Sequence, residues 1–337
     1  MGSVIPLKKS ANSAYLELKN LLSDKLEKVE NLIELKLKSD VKLIEKMSDH
    51  HLQSGGKRLR ALLTLGSSKL CSYELGERDV NLAACVELIH AATLLHDDVI
   101  DESSLRRGTK TTNSIWGNQS SILVGDYLLS RCFEIMVDDG DLEVLRLLSS
   151  TSAKIAQGEV LQLQHKGEAD LLEENYIKII NLKTAALFAA ATRVGASISK
   201  LDEKKKDALE SYGKNLGLAF QIADDALDYF SREKIFGKEI GKDFFEGKVT
   251  IPIIICFQKA NSIERTFLTN TFKKHERNKE DFENVLRLIK KYKALDSTFK
   301  RAEYFVNVSF DALGIFENSE EKRILQNLTN FSLNRSY

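Results

Sequence analysis

Two acidic clusters of one grammar sit 127 residues apart in this chain of 337 residues. The first reads Leu95-His96-Asp97-Asp98-Val99-Ile100-Asp101, the second Gln221-Ile222-Ala223-Asp224-Asp225-Ala226-Leu227-Asp228. Both contain Asp-Asp-x-x-Asp, and both interrupt apolar stretches of helical period. Residues three and four apart on a helix share a face, so Asp97 points with Asp101 and Asp224 with Asp228. Carboxylates gathered on one face repel each other, and holding them near an apolar interior costs free energy. Doing so twice makes sense if hard cations sit between the clusters. Carboxylate oxygens with room for water and phosphate oxygens are the donors that Mg²⁺ takes.

Cations stand beside these acids. Gly55-Gly56-Lys57-Arg58-Leu59-Arg60 puts flexible backbone and three cations at an expected helix start, with Lys57 and Arg60 on one face. A phosphate or diphosphate is the guest that fits, and a solvated basic turn is the plain alternative. Arg106-Arg107 follows the first acidic cluster, and guanidinium forks pair bidentately with phosphate oxygens. Lys183-Thr184 lies within an apolar helical run, where a lysine is costly unless it is paired or snorkels. Lys238 and Lys248 add charge in and beside a glycine-rich loop. Together these residues describe a cavity with two carboxylate walls, Mg²⁺ between them, and two sets of cations. Such a site suits two diphosphate-bearing substrates. One diphosphate, held by metal, leaves; the other, held by cations alone, stays attached. Mg²⁺ stabilises charge on the departing group, and apolar walls shield the carbocation left behind from water.

The elements that must position these groups are helices. Prolines are confined to Pro6 and Pro252, so almost the whole chain is free of helix breakers and an all-α fold is expected. Hydrophobic content of 43% supports a substantial core. Lys+Arg and Asp+Glu number 49 each, so no global field favours nucleic acid and any anion site must be local. Cys71, Cys85, Cys132 and Cys256 form no CxxC pair and lie in apolar helical contexts, which reads as buried reduced thiols and a cytoplasmic home. Residues 1–13 have no apolar run of signal-peptide length, and no stretch approaches the length of a spanning helix. A soluble protein that touches a membrane only transiently, to release a greasy product, is expected. Helical segments are expected over 11–39, 41–51, from 57, over 79–102, 120–137, 142–164, 171–197 and 202–230, then as shorter helices beyond 250. Residues 106–108 and 237–247 read as loops, and 138–141 as a turn. No Pro/Gly/Ser linker divides the chain, so a single domain over 1–337 with a loose tail at 1–13 is expected.

At this point the residues resemble the trans-polyprenyl diphosphate synthases, the all-α enzymes that elongate isoprenoid chains. The resemblance runs from about residue 54 to 252. Its motifs come in the family's order: GGKRLR at 55–60, LLHDDVIDESSLRRG at 94–108, WGNQSSILVGDYLLSR at 116–131, GEVLQL at 158–163, KT at 183–184, FQIADDALD at 220–228, and the GKEIGKD…GK loop at 237–248. The long-chain branch, whose octaprenyl-like or decaprenyl-like products become quinone tails, is the nearest in appearance. The resemblance implies helices ringing a large central cavity, in a homodimer. Asp97, Asp101 and Asp224 are implied as direct ligands in a cluster of three Mg²⁺ ions, with Asp98, Asp225 and Asp228 acting through water or by orienting others. Arg106, Lys183 and Lys238 are implied to grip the allylic diphosphate, with Thr184 and Gln221 beside the reactive carbons. Lys57, Arg60, His90 and Arg107 are implied to hold isopentenyl diphosphate. Read alone, His90 would be a core histidine. Where the family often has two adjacent acids, this chain has Lys242 before Asp243, and Asp243 is expected to orient a lysine or a metal-bound water.

The growing tail is expected to run down the helix away from Asp97. Ala92 lies five residues upstream, roughly 7–8 Å along the axis, and Thr93 follows it. A bulky aromatic closes the channel there in short-product relatives; neither residue here is large, so a product of eight to ten isoprene units is expected. Phe133 and Met136 on the next apolar helix are candidates for the floor, or simply for the core. A shorter, geranylgeranyl-type product is the alternative within the class. A terpene cyclase or head-to-head coupling enzyme would need no separate cation pocket, against GGKRLR and the paired arginines. A non-catalytic regulatory subunit would be expected to lack carboxylates from one cluster, and both are complete. A Ca²⁺-binding module is disfavoured because no EF-hand loop grammar is present.

Overall fold

The computed structural model describes residues 8–53, 55–230, 240–331 and 333. The chain opens with α1 (Lys8–Leu21), α2 (Ser23–Leu37) and α3 (Lys42–Gln53), so the expected segment 11–39 is two helices broken at Leu22. Helix is already established at Lys8, within the stretch expected to be a loose tail. Next come α4 (Leu59–Leu70) and α5 (Arg78–Ile100). Helix α4 begins two residues later than expected because Arg58 adopts a left-handed conformation with φ of 47°. Its first turn is satisfied from elsewhere: the buried Glu87 carboxylate accepts from the Ala61 amide at 3.0 Å.

Residues 106–108, expected as a loop, belong to a two-stranded antiparallel hairpin, β1 (Leu105–Arg106) and β2 (Thr109–Lys110). Arg107 and Gly108 make its turn with positive φ. After it come α6 (Thr112–Trp116), α7 (Asn118–Asp139), α8 (Leu142–Gln164) and α9 (Glu173–Ile180). The expected continuous helix over 171–197 is interrupted: Asn181–Ala185 is a π-turn between α9 and α10 (Ala186–Ile198). Such a turn inserts a residue into the helical ladder and re-aims the side chains it carries. Helix α11 (Glu203–Asp228) follows, capped by the Asp202 side chain. The C-terminal part holds α12 (Lys242–Glu246), α13 (Ile251–Lys259), α14 (Ser262–Phe272), α15 (Lys279–Lys291), α16 (Ala294–Ala312) and α17 (Glu320–Leu328), with 3₁₀ turns at Leu313–Ile315 and Thr329–Phe331. Pro252 sits in the first turn of α13, where no intrahelical amide is lost.

Two apolar clusters hold this helical domain together. One joins α2, α4, α5, α7, α10 and the start of α11. The other joins α9, the second half of α11 and α13 to α16. Helix α5 is buried on nearly every side, with Leu82, Ala83, Ala84, Cys85, Val86, Leu88 and Ile89 inaccessible. That explains why its sequence shows apolar character without a clear polar face. Helix α11 approaches the π-turn closely at Gly217, where a Cβ would lie 2.7 Å from Ala185 Cα. All four cysteines are free; Cys85, Cys132 and Cys256 are buried and Cys71 is half-buried. Among the described residues no helix is long and apolar enough to cross a membrane.

Candidate active site

Both acidic clusters fall at helix C-termini. Helix α5 ends at Ile100, and Asp101 caps it, its amide donating to Asp97 O at 2.8 Å. Asp224, Asp225 and Asp228 occupy the last turns of α11. A helix C-terminus already carries partial negative charge. Adding carboxylates there is unfavourable unless cations answer them, and the surrounding elements supply lysines and arginines.

The aspartates divide by partner. Asp98 is buried at 1% exposure, and both its oxygens are taken by Arg106 through three hydrogen bonds of 2.7–3.2 Å. It therefore fixes Arg106. Asp101 accepts from Lys248 Nζ at 2.8 Å. Burial pushes the Asp101 carboxyl up, but Lys248, Lys183 and Lys242 together hold it below its ordinary value. Among the described residues Asp97 has Lys183 nearest, at 3.9 Å, with Lys248 adding a weaker pull. Burial, with Glu159 and Asp101 adding repulsion, outweighs that lysine and pushes Asp97 up to about 6.

On the second wall Asp224 is partly exposed. Asp225 is buried and accepts from Tyr176 Oη and Gln221 Nε2, each at 2.7 Å. Burial and the charges of Asp243 and Asp224 push its carboxyl well up. Gln221 is thereby fixed, and its Oε1 accepts from the Thr184 hydroxyl at 2.8 Å. Asp228 accepts from the backbone amides of Lys242 and Asp243 at 3.1 and 2.9 Å. Its carboxylate is thus an N-terminal cap for α12, which carries Asp243 and leads into Lys248. Burial pushes the Asp243 carboxyl up against the opposing pull of Lys248.

The π-turn turns Lys183 and Thr184 toward this cleft. Lys183 pairs with Glu159 on α8 and donates to Gln162 Oε1 at 2.9 Å. Lys248 bridges Asp101 and Glu246, each at 2.8 Å, which holds its ammonium well above the ordinary lysine range despite burial. Lys242 reaches back from α12 to Ser103 Oγ at 2.7 Å and to Glu246 at 3.4 Å. A cavity of about 90 Å³ lies here, lined by Gln162, Lys183, Thr184, Gln221, Asp225, Asp243 and Lys248 among others. Lys238 lies outside the described residues.

A second cationic site adjoins the first. Arg107 lies over Gly56, where a Cβ would be 3.2 Å from its guanidinium. Arg60 stacks on the Phe188 ring at 4.7 Å. Burial and the neighbouring arginines hold both His90 and His51 neutral: His90 is pushed well down by burial, Arg60, Arg106, His51 and Arg107, and His51 to about 3 by burial, Arg106, Arg107 and Arg58. Arg60 of α4, Arg58 just before it, and Arg106 and Arg107 of the hairpin thus lie near two histidines, with Arg106 paired to Asp98 and Arg58 to Glu30 and Glu87. Lys57 precedes α4 and is not on a helical face with Arg60, contrary to expectation, because Arg58 is left-handed. Its ammonium stands over Phe331 at 4.4 Å and Tyr15 at 5.8 Å.

Of the chain-length candidates, Ala92 and Met136 are each 1% exposed and Thr93 is partly exposed, its hydroxyl donating to His90 O at 2.8 Å. Phe133 is 46% exposed on the outer side of α7, so it forms no floor within this subunit. The inward face of α7 is Val124, Leu128, Cys132, Ile135 and Met136, and Phe133 falls just outside it.

Sequence reading missed His51, Glu159, Gln162, Tyr176 and Glu246. His51 lies in a polar helix with no local signal, and Tyr176 acts through a long-range partner, Asp225; Glu246 pairs with Lys242 and Lys248 close by in sequence, a spacing that was the available signal. Glu159 and Gln162 lay within a quoted motif, which was the available signal.

Carboxylate oxygens are the donors a hard divalent ion takes. Among the described residues no three His, Cys, Asp or Glu side chains stand close enough to hold an ion by themselves. The carboxylates of the cleft are of the kind Mg²⁺ takes, one or two at a time with water and substrate phosphate oxygens completing the shell.

Residues 41–289 match the family model described as polyprenyl synthetase. The chain belongs to the polyprenyl synthetase family. It is a prenyltransferase, as its relatives in that family are. It is 34% identical to the octaprenyl diphosphate synthase of Haemophilus influenzae over 331 residues, covering 98% of this chain and 100% of that protein. A decaprenyl diphosphate synthase from Rhodobacter capsulatus superposes with a TM-score of 0.91 at 39% identity, covering 96% of this chain and 99% of that one. A polyprenyl synthase from Caulobacter crescentus CB15, complexed with calcium and isoprenyl diphosphate, superposes with a TM-score of 0.91 at 40% identity, covering 96% and 98%. The helical fold and the family are thus those the motifs led one to expect, including the long-chain branch.

Proposed function

We propose that the chain adds isopentenyl diphosphate repeatedly to an allylic diphosphate primer, farnesyl or geranylgeranyl, to give an all-trans polyprenyl diphosphate of eight to ten units for quinone side chains. The observation that carries this reading is the pairing of two unlike anion sites. One has carboxylates at two helix ends with Lys183 and Lys248 between them. The other has arginines around His90 and His51. One site suits a diphosphate that departs with metal, the other a diphosphate that is retained.

Asp97, Asp101 and Asp224 are the proposed Mg²⁺ ligands, for three ions together with the substrate. Bound there, Mg²⁺ would neutralise charge gathering on the departing diphosphate. Lys183 and Arg106 hold that diphosphate. The Thr184 hydroxyl spends its proton on Gln221, which leaves oxygen lone pairs to face the allylic cation. Lys57, Arg60, His90 and Arg107 hold isopentenyl diphosphate while its double bond attacks. The resulting cation loses its proton to the released diphosphate. The whole chain acts as one synthase domain, and a cytoplasmic location is proposed with it.

A homodimer is proposed from the outer face of α7 and α8. Ile122, Leu123, Phe133 and Val137 are exposed there, joined by Leu142 and Val160. Exposed apolar strips of this kind mark association surfaces. Light scattering after gel filtration checks it: Phe133→Glu with Val137→Glu should give monomers where the parent gives dimers.

The test of function is elongation. Purified protein with Mg²⁺, isopentenyl diphosphate and farnesyl diphosphate should give a dephosphorylated product of eight to ten units by mass spectrometry. A four- or five-unit product would overturn the length, and no product from folded protein would overturn the enzyme.

A further inference from the structure

The GEVLQL segment at 158–163 has no part in the chemistry above, yet it makes the nearest contacts to a residue that does. Gly158 lets α8 press against the π-turn: a Cβ there would lie 2.6 Å from the Lys183 amide nitrogen and 2.9 Å from Leu182 Cβ. With the backbones that close, the next residues reach the Lys183 ammonium. Glu159, itself buried, forms its ion pair, and Gln162 Oε1 accepts at 2.9 Å. The Glu159 contact is an ion pair rather than an aligned hydrogen bond, since Oε2 has no hydrogen-bonding partner of good geometry. Asp97 stands farther off, at 3.9 Å. The nearest charge to Lys183 is therefore on α8 and not on either acidic cluster.

We propose that Glu159 is a positioning residue that competes with diphosphate for Lys183. This rests on the reading of the site as a repeating prenyl transferase. Each added unit in that reaction leaves one inorganic diphosphate behind, and it must depart before the next cycle. A lysine with no counter-charge would hold that diphosphate tightly. With Glu159 beside it, Lys183 exchanges one anion for another in place, so diphosphate binds less tightly and leaves faster. Gln162 keeps the ammonium aimed at the cleft in both arrangements without adding charge.

The test is the affinity for inorganic diphosphate, measured by titration calorimetry on the full chain, with EDTA and again with Mg²⁺. Glu159→Gln should bind about tenfold more tightly than the parent in EDTA, the scale of one charge-assisted hydrogen bond. Glu159→Asp, whose carboxylate is withdrawn by one methylene, should bind about threefold more tightly, and it decides the matter if the glutamine variant fails to fold. Adding Lys183→Ala should abolish the gain, which a merely structural effect of Glu159 would not require. In elongation assays with Mg²⁺ the inhibition constant of diphosphate should fall in parallel, with KM for isopentenyl diphosphate unchanged. Unchanged or weaker diphosphate binding by a folded Glu159 variant would overturn the proposal while leaving the synthase reading intact. A parent protein that neither binds diphosphate nor elongates would overturn both.

Discussion

Asp97 and Asp101 share a helix face and a motif, yet their environments set them against each other. Asp97 has its carboxyl pushed from 3.8 up to about 6, chiefly by burial. A carboxyl whose folded value is raised keeps its proton better in the folded state, so the stability it contributes is present below the unfolded value and lost as pH rises through 6. At pH 7.5 the ionised Asp97 therefore costs about 3 kcal/mol, from roughly two pH units at 1.36 kcal/mol each. Unfolding entropy of about 2.1 cal/mol/K per residue turns this into about 4 °C for a chain of this size. Asp97→Asn removes the charge, and Lys183 keeps Glu159 as its partner. In EDTA at pH 7.5 its melting midpoint should rise by about 4 °C, and the gain should shrink to about a third of that near pH 4.5 and vanish only below the unfolded value of 3.8. Asp101→Asn should do the reverse, because Asp101 is held ionised by Lys248 and its loss strips a buried lysine of a partner at 2.8 Å. Both variants should lose elongation by about a thousandfold or more, as several kcal/mol of charge stabilisation goes with either ligand. Differential scanning fluorimetry at one scan rate across pH 4.5–8 reads the stability arm, and the elongation assay reads the other. If Asp97→Asn lowers the midpoint at pH 7.5 as Asp101→Asn does, the idea that Asp97 is held in unfavourable ionisation for function is wrong.

Ala92→Phe should shorten the major product below eight units, read by mass spectrometry, with a stability loss of about 1–3 kcal/mol from overpacking a site that is 1% exposed. Unchanged product length would remove Ala92 from the tail path. Lys57→Ala should raise KM for isopentenyl diphosphate about tenfold and leave KM for the allylic primer nearly unchanged. Gly158→Ala should cost about 1–3 kcal/mol in denaturant unfolding, because its Cβ would meet the Lys183 amide nitrogen at 2.6 Å and force α8 off the π-turn. Its kcat should fall with it, since Lys183 moves.

Much of the fold class and the location of the site were legible in the chain. Scarce proline and helical period carried the architecture, and the two Asp-Asp-x-x-Asp clusters marked the walls. What spacing could not reveal was partnership. Asp228 is on the correct face for a metal, yet both its oxygens are committed to the amides of α12. Lys57 and Arg60 have helical spacing, but one left-handed residue between them breaks the face. The π-turn at Asn181–Ala185 leaves no mark, because an inserted residue in an apolar run changes neither composition nor character. Phe133 illustrates a further limit: α7 carries apolar residues on two faces, and period alone cannot choose the one turned to the core.

The placement of the carboxylates at helix ends explains why so many lysines surround them. The C-terminal charge of α5 and α11 makes an acidic residue there more costly than elsewhere on a helix. A protein that needs carboxylates free to meet a divalent ion cannot neutralise all of them permanently. Here the burden is divided. Asp98, Asp225 and Asp228 are satisfied by Arg106, by Tyr176 with Gln221, and by backbone amides, and these contacts shape the cleft. Asp101 is offset by Lys248, a flexible point charge that can withdraw when a divalent ion competes for the same oxygen. Asp97 is offset weakly among the described residues: Lys183, at 3.9 Å, is shared with Glu159, and Lys248 adds a smaller pull. In the proposed role of Asp97 as a Mg²⁺ ligand, a bound cation would relieve the cost that burial places on its ionised carboxyl.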